Sequence, residues 1–200
     1  MRLRNVKNAK EIVNNHRLVV KENPYDNKKP LHIEIGTGKG DFIIQMALRN
    51  PNINFIGIEK YESVLVRALE KCPEDINNLR FMCFDAGKID EYFNHEVDKI
   101  YLNFSDPWPK KKHYKRRLTS KIFLDLYSKI SKDVIRIEQK TDNKGLFAYS
   151  LMMFNNEGYT FEEVSLDLPE SEDNAETEYE KKFRKQGVTI NYLKVFKNNH

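Results

Sequence analysis

The 200-residue sequence lacks the features that mark membrane proteins, secreted scaffolds and metal centres. It contains no run of eighteen apolar residues, and its first fifteen residues, MRLRNVKNAKEIVNN, contain no apolar stretch, so neither a spanning helix nor a signal peptide is expected. Its only cysteines, Cys72 and Cys83, lack the spacing of metal ligands, and its five histidines are scattered. We therefore expect a cytoplasmic protein that binds no metal and no membrane.

Charge of one sign is not in large excess, because the net charge is only +4, but the charges are unevenly distributed. Six Lys or Arg residues fall between Lys110 and Arg117, interrupted only by His113 and Tyr114. A cationic run beside aromatic residues suits contacts with phosphates and bases. In isolation, the same run is more typical of a solvated loop, so its context has to decide.

Short apolar strands alternate with segments of helical spacing over most of the chain. The candidate strands are rich in Ile, Leu, Val, Phe and Tyr, and they fall at 31–35, 54–59, 79–84, 98–104 and 133–139. Candidate helices lie at 61–72, at 119–131 behind a possible Thr119 cap, and at 142–156. This alternation predicts an α/β fold with a doubly wound, mostly parallel sheet.

Two later strands, at 159–168 and 188–197, are separated only by a long acidic loop, so we expect them to pair as a hairpin. They bring the expected sheet to seven strands with the last one antiparallel. No internal repeat or second domain is apparent. We assign residues 1–30 to an N-terminal arm and linker, and residues 31–200 to a single domain.

The first strand runs into a glycine-rich loop, EIGTGKG at 34–40, directly before a helical segment. Gly36, Gly38 and Gly40 allow the backbone to turn sharply and to approach a ligand closely. A dinucleotide fingerprint would have its third glycine at position 41, which is Asp, and no GxxxxGK[ST] phosphate loop is present. The loop therefore favours a different nucleotide-type cofactor.

Three successive strands end in an acid: Glu34, Glu59 and Asp85. Ligands of an open parallel sheet bind beyond the carboxyl ends of its strands. Glu34 suits a cofactor with a positive charge, such as the ammonium and sulfonium of S-adenosylmethionine. Glu59 has the spacing that reaches ribose hydroxyls, and Asp85 is placed to receive an adenine amino group. Each acid alone is more typical of a surface carboxylate or helix cap, but the three together favour a cofactor site.

The fourth strand ends in NFSDPWP at 103–109. Pro107 and Pro109 restrict the residues before them, so the chain leaves the sheet in a stiff, extended conformation that would hold Asp106 at the strand tip. Trp108 offers either a platform on which a base stacks or a hydrophobic plug over the end of the sheet.

The sequence resembles the bacterial tRNA (guanine-N7-)-methyltransferase family. The resemblance runs in order over nearly the whole chain and is carried by EIGTGKG at 34–40, FIGIE at 55–59, NFSDPWPKKKHYKRRL at 103–118, KTDN at 140–143 and TEYE at 177–180. It implies a Rossmann-like class I methyltransferase fold. It also implies methyl transfer from S-adenosyl-L-methionine to N7 of a guanine in the tRNA variable loop (position 46). It leaves open whether the protein is a monomer or a homodimer.

The resemblance also implies residue roles. The cofactor site would contain the loop glycines Gly36, Gly38 and Gly40 together with Glu34, Glu59, Asp85 and Asp106, and Asp106 is also the residue implied for catalysis. Substrate contacts would come from Lys110, Asp142, Thr177, Glu178, Tyr179 and Glu180. RNA contacts would come from Lys112, His113, Tyr114, Lys115, Arg116 and Arg117. The chain departs from many relatives at residues 5–9, NVKNA, which leaves the role of the N-terminal arm open.

The chemistry of guanine N7 agrees with these implied roles. N7 has an in-plane lone pair and no proton, so the reaction needs alignment rather than a general base. The Asp106 carboxylate would either grip the N1–H and 2-amino groups of guanine or orient the cofactor, and Asp142 or Glu180 could share this work.

Two rival functions are open. Amino-group methyltransferases often have Asp/Asn-Pro-Pro-aromatic at the end of the fourth strand, whereas this chain has Asp-Pro-Trp-Pro there. A non-catalytic RNA-binding protein with an old enzyme fold is the other rival, although such a protein would have no need of the glycine loop and the strand-end acids. Two local features also have structural explanations. Asp142 or Asn143 could cap a helix, and residues 177–185 could form a short charged helix packed by Tyr179 and Phe183.

Overall fold

A computed structural model of the chain describes residues 5–171 and 174–199. Seven strands form one sheet in the order β3-β2-β1-β4-β5-β7-β6. In chain order they are β1 Leu31–Ile35, β2 Asn54–Glu59, β3 Leu79–Cys83, β4 Lys99–Asn103, β5 Val134–Thr141, β6 Thr160–Ser165 and β7 Asn191–Asn198. The strands β1 to β5 are parallel, and β7 runs antiparallel to both of its neighbours, β5 and β6. The predicted doubly wound sheet and its antiparallel last strand are therefore confirmed.

Helices cover both faces of the sheet. They are α1 Ala9–Asn15, α2 Asp41–Arg49, α3 Glu62–Leu69, α4 Lys121–Ile130, α5 Lys144–Asn156 and α6 Glu178–Lys185. Successive residues of β4 belong to different hydrophobic cores: Ile100 and Leu102 pack in the core with α4 and α5, whereas Tyr101 packs in the core with α2 and α3. This alternation is that of a central strand buried on both faces. The winding reverses between β1 and β4, and that reversal creates a crevice at their carboxyl ends.

The helix predicted at 119–131 begins two residues later than expected. Its N-cap is Ser120, and the hydroxyl of the proposed cap Thr119 instead forms a 2.8 Å hydrogen bond with the Ser150 hydroxyl on α5. The prediction of Thr119 as the cap is therefore wrong, and its side chain instead contacts α5. The Asn143 side chain accepts a hydrogen bond from the Leu146 amide over 2.8 Å, which confirms the cap expected at the start of α5.

The N-terminal segment packs on the domain. Val13 of α1 and Leu18 are each 1% exposed and lie in the core that contains α2 and α3. The Phe81 amide of β3 donates to the Leu18 carbonyl, and its own carbonyl accepts from the Val20 amide. Residues 9–20 therefore pack as part of the same hydrophobic core as α2, α3 and β3. No helix within the described ranges is long and apolar enough to cross a membrane.

Candidate active site

A cavity of about 680 Å³ opens beyond the carboxyl ends of β1 and β4. Its walls come from the glycine loop, the first turns of α2 and α3, the tip of β4 and the start of α6. The residues that line it are Glu34, Gly36, Thr37, Gly38, Lys39, Asp41, Phe42, Ser63, Val64, Arg67, Asn103, Phe104, Thr177, Glu178 and Tyr179. The topology thus brings segments from opposite ends of the chain into one site.

The glycine loop forms the floor of this cavity. Gly36, Gly38 and Gly40 have φ values of 78°, 59° and 78°, in the left-handed region that favours glycine. A Cβ at Gly40 would lie 2.9 Å from the Cβ of Ala68 on α3, so glycine permits close packing there. A Cβ at Gly38 would meet nothing within 4 Å, so the loop backbone borders open space. The loop has the two properties that a ligand cradle needs, a tight turn and an uncovered backbone.

Glu34 is the buried acid of the site. Its side chain is 1% exposed, and it accepts hydrogen bonds from the Thr37 hydroxyl over 2.6 Å and from the Asn103 amide over 2.8 Å. Burial raises the pKa of Glu34 to about 7, although both hydrogen bonds and the Lys140 ammonium act in the opposite direction. A cationic ligand beside this carboxylate would therefore be strongly favoured.

The other two strand-end acids differ in their surroundings. Glu59 accepts hydrogen bonds from the Gly38 amide over 3.1 Å, the Lys60 amide over 2.9 Å and the Tyr61 amide over 3.0 Å. Burial raises its pKa, and these backbone donors oppose the shift. Asp85 is exposed and accepts a hydrogen bond from the Gly87 amide over 2.9 Å at the start of a short 3₁₀ helix. Neither acid lines the cavity itself; Glu59 is joined to it through Gly38.

The tip of β4 leaves the sheet through a strained turn. Phe104 and Trp108 have φ values of 49° and 40°, which non-glycine residues rarely adopt, and Asp106 lies exposed between them. The Trp108 ring is covered in part by its own segment. The His113 ring stands edge-on to it at 5.6 Å, and the Arg116 guanidinium carbon lies 4.9 Å from its centre. Asp106 is not in the cavity wall, but its neighbours Asn103 and Phe104 are.

The basic run divides into exposed and buried members. Lys110, Lys112, Lys115 and Arg116 are exposed, and within residues 5–171 and 174–199 none of them forms an ion pair with an acid. Arg117, for which an RNA contact was predicted, is instead only 4% exposed. It donates to the carbonyl oxygens of Pro107 over 2.8 Å and Trp108 over 3.3 Å. The exposed members alone are available to a phosphate.

The four residues of the TEYE segment, 177–180, also differ in exposure to the cavity. Thr177 caps α6 by accepting from the Glu180 amide over 2.9 Å, and Thr177, Glu178 and Tyr179 line the cavity. Glu180, which was predicted to contact substrate, is instead 0% exposed. Its carboxylate lies 3.0 Å from the Lys140 ammonium of β5 and 2.8 Å from Arg184 Nη2. The Glu180 carboxylate therefore holds α6 against the sheet through these ion pairs. It could contact a ligand only if the ion pairs were broken.

Two further contacts hold α6 beside the cavity. The Lys39 ammonium of the glycine loop lies 2.7 Å from the Glu178 carboxylate. The Phe104 ring stacks on Tyr179 and Phe183, with ring centres 6.4 and 6.0 Å away, which confirms the packing expected for the two α6 rings. Four further residues of the site were not predicted, although all of them lie within the sequence motifs: Thr37, Lys39, Asn103 and Lys140. Asp142 is half-exposed beyond the end of β5, one residue before the α5 cap.

The whole chain is similar to proteins of known activity. A family model described as "Putative methyltransferase" matches residues 28–193. The tRNA (guanine-N(7)-)-methyltransferase of Lysinibacillus sphaericus (strain C3-41) is 48% identical over 95% of both chains. The enzyme of that name from Geobacillus sp. (strain WCH70) is 50% identical over 95% of this chain and 93% of its own.

The chain belongs to the tRNA (guanine-N7-)-methyltransferase family. Solved structures agree on its fold. The 16S rRNA (adenine(1408)-N(1))-methyltransferase of Catenulisporales acidiphilia, solved as a variant with its cosubstrate SAM, superimposes with a TM-score of 0.60. It is 12% identical and covers 84% of each chain, so the likeness identifies the class I methyltransferase fold alone. The described residues contain no group of three His, Cys, Asp or Glu side chains that could hold a metal ion.

Proposed function

We propose that this protein transfers the methyl group of S-adenosylmethionine to N7 of a guanine in the variable loop of tRNA, at position 46. The observation that carries the proposal is that the cavity opens between the glycine loop and the tip of β4. A cofactor in that cavity would lie beside Asp106 and the exposed basic residues that follow it. The two family members that match 95% of this chain support the choice of tRNA and of guanine N7.

The chemistry of the cavity fits S-adenosylmethionine. Glu34 would receive the ammonium of the methionine part, and Glu59 would receive the ribose hydroxyls. Asp85, at the neighbouring strand end, would receive the adenine amino group. The uncovered backbone at Gly36 and Gly38 leaves room for the cofactor against the loop. When bound, the cofactor supplies an electrophilic methyl group on a sulfonium.

The remaining groups at the cavity mouth orient a guanine. N7 carries a lone pair and no proton, so no residue has to act as a base, and alignment supplies much of the rate. Asp106 is exposed beside the cavity mouth, where its carboxylate would accept from the N1–H and 2-amino groups of guanine. Methylation leaves positive charge on the purine, and the hydrogen bonds to a carboxylate strengthen as that charge develops. Tyr179, whose exposed ring lines the cavity, and Asp142, beyond the end of β5, would share the contact with guanine.

The RNA backbone would be held by the exposed part of the basic run. Lys110, Lys112, Lys115 and Arg116 have no acid partners in the part of the chain that the structure describes, so their charges are available to phosphates. His113 and Tyr114 are half-buried within this segment and would shape the surface rather than carry charge. A tRNA substrate is consistent with a protein of the cytoplasm.

Methyl transfer to an unmodified tRNA transcript tests the proposal. With radiolabelled S-adenosylmethionine, we expect incorporation into the variable loop and N7-methylguanosine as the product by mass analysis of nucleosides. The matched control is the same transcript with 7-deazaguanosine at position 46, which keeps every other guanine group and should receive no methyl group. Methylation of an exocyclic amine would show an amino-group methyltransferase instead. Binding of tRNA without S-adenosylmethionine binding would show a non-catalytic RNA-binding protein.

A further inference from the structure

The side chain of Arg117 is buried, although Arg117 is the last residue of a run of exposed basic residues. Its exposed fraction is 4%. Its guanidinium carbon lies 3.8 Å from the centre of the Tyr114 ring and 4.4 Å from the centre of the Tyr149 ring. A planar guanidinium packed against two aromatic rings is held in one orientation. Little of it is left to meet a phosphate of bound RNA.

That orientation points two N–H groups at the backbone just beyond Asp106. Nε donates to the Pro107 carbonyl over 2.8 Å, and Nη2 donates to the Trp108 carbonyl over 3.3 Å. Trp108 has a φ of 40°, a conformation that is costly for a non-glycine residue and persists only where its surroundings hold it. Arg117 is therefore one of the groups that keep this turn in its strained shape.

The same side chain joins the turn to the rest of the site. Tyr149 belongs to α5, the helix that begins directly after Asp142 and Asn143. On the residue after Tyr149, the Ser150 hydroxyl is hydrogen-bonded to Thr119 over 2.8 Å, which ties the end of the basic segment to α5. Arg117 thus connects the turn that contains Asp106 to the middle of α5.

We propose that Arg117 is a positioning residue of the methyltransferase and not an RNA-binding residue. It holds the carbonyls of Pro107 and Trp108, and it thereby sets the place of the Asp106 carboxylate. The inference rests on the proposed function, in which Asp106 meets the guanine. The inference gives Arg117 a different role from its neighbour Arg116, which is exposed and lies over the Trp108 ring.

The first test reads the turn directly and needs no substrate. Trp108 is the only tryptophan of the chain, so its fluorescence reports the turn alone. Arg117→Lys keeps the charge but loses the fork that reaches two carbonyls. Arg80→Lys is the matched control, because Arg80 also donates to two carbonyls, those of Asn77 and Leu79, but from β3. We expect greater acrylamide quenching of Trp108 in Arg117→Lys and wild-type quenching in Arg80→Lys.

The second test separates positioning from RNA binding. With both substrates saturating, Arg117→Lys should lower kcat about 100-fold, the effect of a misplacement of about 1 Å. The Kd for S-adenosylmethionine and the slope of log tRNA affinity against log salt concentration should stay at wild-type values. Arg116→Gln, in contrast, should reduce the magnitude of that slope by roughly 0.7–0.9, as expected for one lost phosphate contact.

Two results would overturn the inference. In the first, the Arg117→Lys protein has the wild-type quenching of Trp108 and the wild-type kcat, and its slope of log tRNA affinity against log salt concentration is reduced as in Arg116→Gln. The other applies if Arg117→Lys does not fold: Tyr149→Ala, which removes one ring from the guanidinium and leaves its charge, would then show wild-type quenching. If the proposed function itself fails, the kinetic test shows no turnover in the wild type, whereas the fluorescence result still reports on the turn.

Discussion

The Asn103 amide at the end of β4 donates a 2.8 Å hydrogen bond to the Glu34 carboxylate at the end of β1. The two strands are neighbours at the point where the winding of the sheet reverses. Thr37 of the glycine loop donates to the other carboxylate oxygen over 2.6 Å. Three segments thus converge on one buried acid, and its charge is sensitive to pH close to neutrality.

We expect the affinity for S-adenosylmethionine to rise with pH through the titration of Glu34. Burial raises the pKa of Glu34 from 4.5 to about 7, so the native protein without ligand holds a proton that the unfolded chain has released. This group alone therefore makes the stability fall as the pH rises from 4.5 to about 7. A bound ammonium would stabilise the ionised form, so binding below a pH of about 7 should release a proton.

Calorimetry in two buffers of different ionisation enthalpy measures the number of protons that are released when the cofactor binds. The matched variant Glu34→Gln keeps the shape of the side chain and removes the titration, so it should bind weakly with an affinity that does not change between pH 5 and 7. Glu59 and Lys140 are the other charged groups that act on Glu34. The cofactor ammonium keeps its proton below a pH of about 7, so a wild-type affinity that is constant between pH 5 and 7 would contradict the prediction.

Asp106→Asn should impair methyl transfer and spare cofactor binding. Asp106 lies outside the cavity wall and is exposed, so in the proposed function its carboxylate acts on guanine and not on the cofactor. We expect kcat to fall by about 100-fold or more, the effect of losing one group that stabilises developing charge. The Kd for S-adenosylmethionine, measured separately, should change little. Equal turnover at saturating cofactor would exclude a catalytic role.

Glu180→Gln should destabilise the protein far more than Glu178→Gln. Glu180 is 0% exposed and lies between Lys140 and Arg184, so its loss would leave Lys140 without its acid partner and Arg184 paired with Glu176 alone. Breaking a buried pair in this way costs about 3–5 kcal/mol. Glu178, two residues earlier on α6, forms an exposed pair with Lys39, and its loss should cost about 0–1 kcal/mol.

Urea denaturation measures the free energy of unfolding of Glu180→Gln and Glu178→Gln, two variants of the same helix. If Glu180 acted by contact with substrate, Glu180→Gln would keep wild-type stability and lose only activity. The double variant Lys140→Met/Glu180→Gln should recover part of the lost stability, because it also removes the uncompensated Lys140 charge.

Binding of tRNA should weaken steeply with salt, and Lys112 and Lys115 should account for part of the dependence. Both are exposed and have no acid partner within the described residues. Lys112→Gln/Lys115→Gln should reduce the magnitude of the salt slope by roughly 0.7–0.9 for each lysine. Filter binding between 50 and 300 mM salt measures it. Lys10→Gln/Lys28→Gln, the same change in net charge on exposed lysines before β1, should leave the slope unchanged.

The sheet could be predicted closely from the sequence. The strand expected at 31–35 is Leu31–Ile35, and the strand expected at 133–139 is Val134–Thr141. Buried parallel strands are continuous apolar runs, and such runs are visible locally. The acids at the strand ends then follow from the topology. Helix starts were less accurate, because Thr119 and Ser120 look alike as caps in sequence and only the contact with Ser150 separates them.

The roles of individual charges could not be predicted. Lys140 and Glu180 are 40 positions apart, and Lys39 and Glu178 are 139 apart, so nothing local shows that these acids have partners. The same holds for Arg117, which stands in a run of cations but is turned inward by Tyr149 of another helix. Residue type and motif identified the segment in each case, whereas the direction of each side chain depends on tertiary packing.

The position of β7 has a consequence for the order in which the protein becomes functional during synthesis. β7 is made after β6 but lies between β5 and β6, so β6 has no strand to pair with until β7 has left the ribosome. The segment 177–179, which completes the cavity, is part of the connection between β6 and β7. A nascent chain can therefore pair the five strands from β1 to β5 early. The cavity wall is complete only when the segment 177–179 has also been made and has packed beside the glycine loop.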